Sequence, residues 1–208
     1  MSDEELREKL ERVSFATLGH FLEEGFVSHE IRSMLSNVKV VGRAFTLKVA
    51  NADAFAVNRA LASLAEGDVL IVDMQGDHRH ACVGTVTSCA ATARGAKAII
   101  VDGAVTDIVE LRGAGLPIFA RGTSLLTTKL CSDTGSAVAV PIKCGGVRVE
   151  PGDWVMGDDN GLLITSSEAL EQVIDIALAS DAAEPLLIQR LQAGEAVETL
   201  LKLDGSTH

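Results

Sequence analysis

Apolar and polar residues alternate in blocks through the middle of the chain, and this pattern predicts a parallel sheet. Three apolar runs, at residues 69–72, 98–101 and 117–120, contain β-branched side chains and are too short for buried helices. Two stretches with helical character, at about residues 85–94 and 107–112, separate the runs. Strands that alternate with helices are typical of parallel strands joined by crossover connections, so we predict three parallel strands here.

The segments before this region predict further helices and strands. Ser2 and Glu5 fit a capping box, and three segments with helical spacing predict a helical N-terminal layer over about residues 1–36, the third at residues 29–35. Residues 38–41 and 44–49 predict two strands. Asn51 or Asp53 can cap the helix that follows them.

The segments after the central region predict antiparallel strands and then more helix. The predicted strands are residues 137–141, 147–149, 154–156 and 162–165, the last two joined by the turn sequence GDDNG. A helical extension covers about residues 166–204, begins at Ser166 or Ser167 and is interrupted at Pro185. No linker divides the chain, so we predict one mixed α/β layered domain over residues 1–208.

Charge and composition exclude several classes of function. The net charge is -11 and aromatic residues make up 3% of the chain, whereas nucleic-acid binding requires basic surface and often stacking side chains. No leader-like apolar segment and no run of membrane-spanning length occurs, so we expect a cytoplasmic protein that binds no membrane. The four cysteines lack C-x-x-C spacing, which favours free thiols in a reducing compartment.

Polar residues cluster where the first two central strands end. Ligands bind beyond the carboxyl ends of parallel strands, and residues 73–87 and 102–107 occupy those positions. No G-x-G-x-x-G, Walker A, H-E-x-x-H or G-x-S-x-G sequence is present. His78 and His80 flank Arg79, and this triplet is more typical of a polar loop than of a zinc site.

Several segments together resemble the family of 4-hydroxy-4-methyl-2-oxoglutarate and 4-carboxy-4-hydroxy-2-oxoadipate aldolases. That family also includes the ribonuclease E inhibitor called regulator of ribonuclease activity A. The resemblance covers about residues 15–165 and includes Gly84 at the start of a helix. The other matching segments are residues 41–46 (VGRAFT), 67–73 (GDVLIVD), 101–107 (VDGAVTD), 116–121 (LPIFAR), 147–154 (VRVEPGDW) and 157–163 (GDDNGLL).

The resemblance implies a swivelling β/β/α domain in a homotrimer or a hexamer, with its site at the subunit interface. It implies a lyase in which Mg²⁺ or Mn²⁺ stabilises a pyruvate-type enolate, during aldol cleavage or oxaloacetate-type decarboxylation of a small 2-oxo acid. Asp107 would be the carboxylate that binds the metal through a largely hydrated site. Backbone N–H groups at the helix start would bind the substrate; they belong to Gly84, Thr85, Val86 and Thr87.

This chain departs from the family pattern at His20, where the family often has an aspartate, and at two chemically important positions. Thr85 stands where the aldolases have an acidic residue, and Thr106 stands where they have an arginine. A hydroxyl has neither a suitable pKa for acid–base work nor the fork of a guanidinium, so the site is predicted to be non-standard. Thr106 is nevertheless a candidate for substrate binding, because it occupies the position of the family's arginine. Arg79 is our candidate for the missing positive charge, with Arg121 and Lys129 as further options.

Other interpretations remain open from the sequence. One alternative is a non-catalytic, ring-shaped regulator of the ribonuclease-inhibitor type, and another is a different enolising enzyme, such as a tautomerase with His78 or His80 as base. Asp107 could instead cap the helix that follows it, and Arg79 could form an ion pair between subunits. Thr85 and Thr87 could serve only to begin their helix.

Overall fold

The structure is a computed structural model, and it describes residues 1–131 and 135–201. The helices are α1 (Asp3–Arg12), α2 (Phe15–Leu18), α3 (Ala54–Ser63), α4 (Thr85–Ala93), α5 (Ile108–Ala114), α6 (Ser167–Gln192) and α7 (Val197–Leu200). The strands are β1 (Arg32–Ser33), β2 (Lys39–Lys48), β3 (Asp68–Asp73), β4 (Ala81–Val83), β5 (Ala98–Val105), β6 (Ile118–Thr123), β7 (Ala137–Val138), β8 (Ile142–Cys144), β9 (Val147–Val149), β10 (Trp154–Asp158) and β11 (Gly161–Thr165).

A mixed sheet with the order β1-β6-β5-β3-β2-β10-β11 forms the centre of the molecule. Strands β2, β3, β5 and β6 run parallel to one another, as predicted for the central region. The hairpin of β10 and β11 joins antiparallel to β2, while β4 and β7 extend the sheet beside β5 and β2. The α/β class with a mixed sheet, flanking helices and terminal helices is therefore confirmed.

Strand β3 is buried on both faces, which explains its unbroken apolar sequence. Leu70 and Val72 face the layer of α3, α4 and α5, whereas Val69 and Ile71 face the hairpin of β8 and β9. Parallel strands covered on both sides are typically continuous apolar runs. The two cores on either side of the sheet hold the ends of the parallel strands in fixed positions, which is where the site residues lie.

The terminal helices pack together on the antiparallel part of the sheet. Leu6 and Leu10 of α1 share a buried cluster with Ile174 of α6 and with Trp154 of β10. The guanidinium of Arg43 lies 3.8 Å from the Trp154 ring centroid, an arrangement that suits a cation–π contact. Only the first half of α6 is buried in this cluster; the second half is largely exposed.

The N-terminal layer is less helical than predicted. The second helix ends at Leu18, and residues 29–35 contain the short strand β1 in place of a third helix. Ser33 pairs with Phe119 of β6, so an open sheet edge overrides the local helical spacing. The predicted strands 38–41 and 44–49 form one strand, because Gly42 brings β2 against the Gly67 carbonyl, where a Cβ would lie 2.8 Å from the oxygen.

The C-terminal extension also differs from the prediction. Ser166 caps α6 as expected, but the helix continues through Pro185 to Gln192. A proline removes one helical hydrogen bond, and this helix keeps both its buried first half and good helix formers after the proline. The predicted residues 202–204 lie outside the described part. Across the described residues, no helix combines the length and apolar character needed to cross a membrane.

Candidate active site

Asp107 lies in the left-handed region of backbone conformation, at φ +55°, immediately before α5. Its side chain does not cap α5, so the simple capping interpretation of Asp107 is wrong. The carboxylate turns instead toward the start of α4, where its Oδ2 accepts hydrogen bonds from the Thr85 N–H at 2.9 Å and the Thr85 hydroxyl at 3.1 Å. Asp107 therefore links the start of α5 to the start of α4.

Gly84 allows this close approach because it has no side chain. A Cβ at Gly84 would lie 2.6 Å from Asp107 Oδ2 and 2.9 Å from Thr106 Cγ2, inside ordinary contact distance. The backbone of Gly84 is extended, at φ -141°, so its special requirement is space and not conformation. The glycine at this position is explained by the carboxylate that lies against it.

Two hydroxyls surround the Asp107 carboxylate. Thr85 donates as described, and the Thr106 hydroxyl donates to Oδ1 at 3.3 Å. The backbone N–H and then the hydroxyl of Thr85 hold the pKa of Asp107 below its usual value; burial opposes them, and the Thr106 hydroxyl makes the smallest contribution. Asp107 is exposed to solvent and is therefore a charged, accessible carboxylate at neutral pH.

The start of α4 has unused hydrogen-bond donors beside this carboxylate. Thr85 N–H is bound to Asp107, and Ser88 N–H begins the helical ladder by donating to the Gly84 carbonyl. Within the described chain, the N–H groups of Val86 and Thr87 have no acceptor. The first N–H groups of a helix attract anions, so a carboxylate ligand could bind here.

Arg79 lies outside this cluster. Its backbone N–H donates to Asp77 Oδ1, which organises the loop, and its exposed side chain forms no ion pair with the residues described. Arg121 is also unavailable, since it binds both Asp102 and Glu30 at 2.5 Å. The structure thus brings together Gly84, Thr85, Thr106 and Asp107, and it gives Arg79 no contact with them.

The oxygen atoms of this cluster suit a metal ion that keeps most of its water ligands, and not one that is enclosed by protein side chains. Among residues 1–131 and 135–201, no group of three or more His, Cys, Asp or Glu side chains could enclose a metal ion. Asp107 is the charged acceptor of the cluster, and the Thr85 and Thr106 hydroxyls lie beside it. Mg²⁺ is commonly held by one or two carboxylates together with waters and substrate oxygens, so these residues fit such an ion.

Exposed apolar side chains border the candidate site. Val86 and Val109, in the first turns of α4 and α5, are 84% and 74% exposed, and Leu125 is 97% exposed. Leu125 follows Ser124, whose N–H donates to the Val105 carbonyl at the end of β5. Several exposed apolar residues near one site are typical of an interaction surface.

Comparison with known proteins assigns the family. The model of the RraA-like family, described as Aldolase/RraA, matches residues 7–164. The chain belongs to this family. A Halalkalibacterium halodurans protein named "Putative 4-hydroxy-4-methyl-2-oxoglutarate aldolase" is 36% identical over 73% of this chain and 71% of its own length. A Thermus thermophilus protein named "4-hydroxy-4-methyl-2-oxoglutarate aldolase" is 33% identical over 64% of this chain and 79% of its own.

A solved RraA-like structure confirms the fold. Streptomyces coelicolor RraAS2, described as an unusual member of the RNase ES inhibitor RraA protein family, superposes with a TM-score of 0.75. The two are 28% identical, and the match covers 91% of this chain and 97% of the other. The resemblance that the sequence motifs predict is therefore confirmed, for aldolase-named relatives and for RraA proteins alike.

Sequence reasoning named the members of this cluster but not their arrangement. It left Asp107 as either a metal ligand or the cap of its own helix, whereas the carboxylate reaches back 22 residues to Thr85. It also missed strand β4, which pairs with β5 and brings Gly84 beside Thr106. A glycine directly before a predicted helix was the available signal, because a missing side chain there indicates a close neighbour.

Proposed function

We propose that this RraA-like protein is a carbon–carbon lyase that acts on a small 2-oxo acid and depends on Mg²⁺ or Mn²⁺. The observation that carries the proposal is the exposed Asp107 carboxylate, whose pKa is lowered, beside the free N–H groups at the start of α4. The aldolase-named relatives support the reaction class. The residues that would hold the metal are Asp107 together with substrate oxygens and water.

The N–H groups at the start of α4 and the metal held by Asp107 would bind different parts of the substrate. The N–H groups of Val86 and Thr87 would bind its 1-carboxylate, and the Thr106 hydroxyl would lie beside it. When bound, the divalent ion would supply positive charge next to the 2-oxo group, where negative charge develops as the enolate forms. Asp107 would remain charged throughout, because its pKa lies below the usual value.

Decarboxylation is the branch of this chemistry that the present residues support best. Aldol cleavage requires a base to remove the 4-hydroxyl proton, and the hydroxyl of Thr85 cannot serve as that base at neutral pH. In an oxaloacetate-type substrate the bond to the 4-carboxylate breaks, CO₂ leaves, and the electron pair enters the enolate of pyruvate. A solvent proton at C3 then gives pyruvate. This sequence requires no basic side chain.

We also propose that the protein works as a homotrimer or a hexamer. The exposed side chains of Val86, Val109 and Leu125 beside the site support an interface there, and the outer half of α6 offers Leu186 and Ile188 to a neighbour. A second subunit at this edge could supply Arg79 as the positive charge that Thr106 lacks. Sedimentation velocity checks the proposal: a monomer at micromolar concentration would contradict it.

Pyruvate release provides the direct test of the lyase. Oxaloacetate and 4-hydroxy-4-methyl-2-oxoglutarate are each offered with and without Mg²⁺ or Mn²⁺, and pyruvate is followed with lactate dehydrogenase. We expect metal-dependent release from oxaloacetate that Asp107→Asn lowers by about a hundredfold or more, which is typical for loss of a group that stabilises developing charge. Asp175→Asn on α6 is the matched control, and its activity should stay unchanged. Full activity in Asp107→Asn would refute the proposed role.

A regulatory function is the second candidate, and one observation favours it. Both hydroxyls beside Asp107 replace groups on which family catalysis would depend, so the pocket could have lost its activity while the fold remained. No turnover of either substrate with either metal, together with inhibition of a ribonuclease E-type cleavage reaction by the intact chain, would establish this alternative. Metal-dependent pyruvate release without any effect on the ribonuclease would exclude it.

A further inference from the structure

A polar cavity lies on the other side of the sheet from α4 and α5. It has a volume of about 580 Å³, within the range of small-molecule sites. Its walls are the carboxyl ends of β2 and β3, the middle of β5 and the hairpin of β8 and β9. The charged or titratable side chains among them are Lys48, Asp73, His78, Asp102, Lys143 and Arg148. None of the residues that line it belongs to the Asp107 cluster.

Strand register explains why these side chains meet. Lys48 pairs with Asp73, and Asp73 pairs with Asp102, so the three residues lie in a row across neighbouring parallel strands. Aligned residues of adjacent strands project to the same face. The β8–β9 hairpin covers this face, and Lys143 of β8 lies among the residues that line the cavity.

The two carboxylates at the base of the cavity are occupied by the protein itself. Asp73 accepts from the backbone and side-chain N–H groups of Gln75, at 2.7 and 2.6 Å, and from the Lys143 backbone N–H at 3.2 Å. Asp102 accepts from Arg121 at 2.5 Å and from the Gly145 N–H at 2.7 Å. The bonds from the Lys143 and Gly145 N–H groups fix the hairpin on the sheet.

The ammonium groups of Lys48 and Lys143, unlike the two carboxylates, form no hydrogen bond or ion pair with the described residues. Arg148 binds Glu150 at 2.7 Å, but in the described part of the chain no carboxylate and no other acceptor binds the side chain of Lys48 or of Lys143. Two unpaired cations therefore line a cavity in a chain whose net charge is -11. Unneutralised cations that line one cavity raise the local concentration of anions there, so this arrangement favours an anionic ligand.

We propose that this cavity binds a small metabolite through a dianionic group, with Lys48 and Lys143 as the cations that hold it. A phosphate and a dicarboxylate share this chemistry. The cavity is larger than either group alone, and the apolar wall of Pro141 and Ile142 would contact the remainder of the metabolite. This binding site is separate from the proposed lyase site and does not depend on it.

Calorimetric titration of the full chain at low ionic strength tests the proposal, with inorganic phosphate and malonate as separate probes. We expect saturable binding of at least one probe. The double variant Lys48→Gln/Lys143→Gln should weaken binding by about tenfold or more, because each contact to a charged group contributes at least that order. Lys97→Gln, which removes one exposed charge elsewhere, is the matched control and should bind like the wild type.

The outcomes separate the possibilities. A phosphate-only or malonate-only response supports the proposal and identifies the dianion. Binding that the double lysine variant leaves unchanged would place the anion elsewhere and overturn the proposal, as would equal weakening by Lys97→Gln or no saturable binding of either probe. Because Lys143 is exposed and only its backbone N–H supports the hairpin, Lys143→Gln alone is expected to fold and keeps the test decisive if the double variant does not.

Discussion

Gly84→Ala should separate the chemistry of the Asp107 cluster from the stability of the fold. The new Cβ would begin 2.6 Å from Asp107 Oδ2, and ordinary contact begins at 3.4 Å, so the carboxylate must move by about 0.8 Å. Asp107 is exposed and can make this movement, and the Thr106 side chain, whose Cγ2 would lie 2.9 Å from the new Cβ, must shift as well. Its hydrogen bonds to Thr85 would then lengthen or break.

The expected magnitudes differ for stability and for activity. The extended backbone of Gly84 accepts alanine, but alanine is a clearly poorer N-cap than glycine, so the free energy of unfolding should fall by about 1 kcal/mol. Displacement of a reacting or metal-binding group by nearly 1 Å typically lowers activity by up to about a hundredfold. We therefore expect metal-dependent pyruvate release to fall by one to two orders of magnitude in a folded protein.

Three measurements check this reasoning. Urea unfolding gives the stability, the lactate dehydrogenase assay gives the activity, and carbon NMR of the labelled carboxyl gives the pKa of Asp107, which should rise toward its usual value. Gly113→Ala is the matched control: its Cβ would meet no atom within 4 Å, and alanine in α5 should stabilise by about 0.5–1 kcal/mol. An unchanged Asp107 pKa in Gly84→Ala would refute the argument, whatever the activity.

Three further outcomes follow from the structure. Thr85→Ala removes a hydroxyl that lowers the pKa of Asp107, so the acid limb of the pH–rate profile should move to higher pH. The lowered pKa also stabilises the fold: this stabilisation is complete above the unfolded-state pKa of Asp107 and is lost as the pH falls through the folded-state pKa. The variant should therefore lose stability at neutral pH and keep the wild-type contribution of Asp107 only at a pH below both pKa values. Iodoacetamide at neutral pH should label exposed Cys89 and spare Cys82, because burial raises the pKa of Cys82 to about 12; mass spectrometry of the native protein checks this, and fast labelling of Cys82 would contradict the fold. Removal of the chain from Pro185 onward should leave the sheet folded, since the buried residues of α6 precede it, but lower the number of subunits per oligomer in sedimentation; an unchanged number would rule out this half of α6 as an interface.

The parallel strands could be predicted from the sequence because they are buried on both faces and therefore carry apolar side chains at nearly every position. Each position of β3 after Asp68 is buried, and an unbroken apolar run has few other interpretations. Strand β1 and the path of α6 through Pro185 could not be predicted in this way. For β1 a partner elsewhere in the chain, Phe119 opposite Ser33, overrides the local preference. For α6 the good helix formers after Pro185 outweigh the one hydrogen bond that the proline removes.

The residues of the candidate site could be predicted from the sequence, but their arrangement in space could not. Gly84, Thr85 and Asp107 follow from the family resemblance, but the left-handed backbone of Asp107 depends on how β5 meets α5. Nothing local indicates that the carboxylate faces the neighbouring connection. The cavity of Lys48 and Lys143 was missed for a similar reason, because the two lysines are distant in sequence and line one cavity only after β8 packs over the ends of β2 and β3.

The central strand β2 has consequences for synthesis of the chain on the ribosome. Its parallel partner β3 follows within 30 residues, but the antiparallel partner β10 begins only at Trp154, roughly a hundred residues after β2 ends. At a translation rate of about 5–20 residues per second, the other edge of β2 stays unpaired for on the order of 5–20 seconds. A nascent chain with an open strand edge can pair with its neighbours on a polysome, so molecular chaperones have their main opportunity to act in this interval.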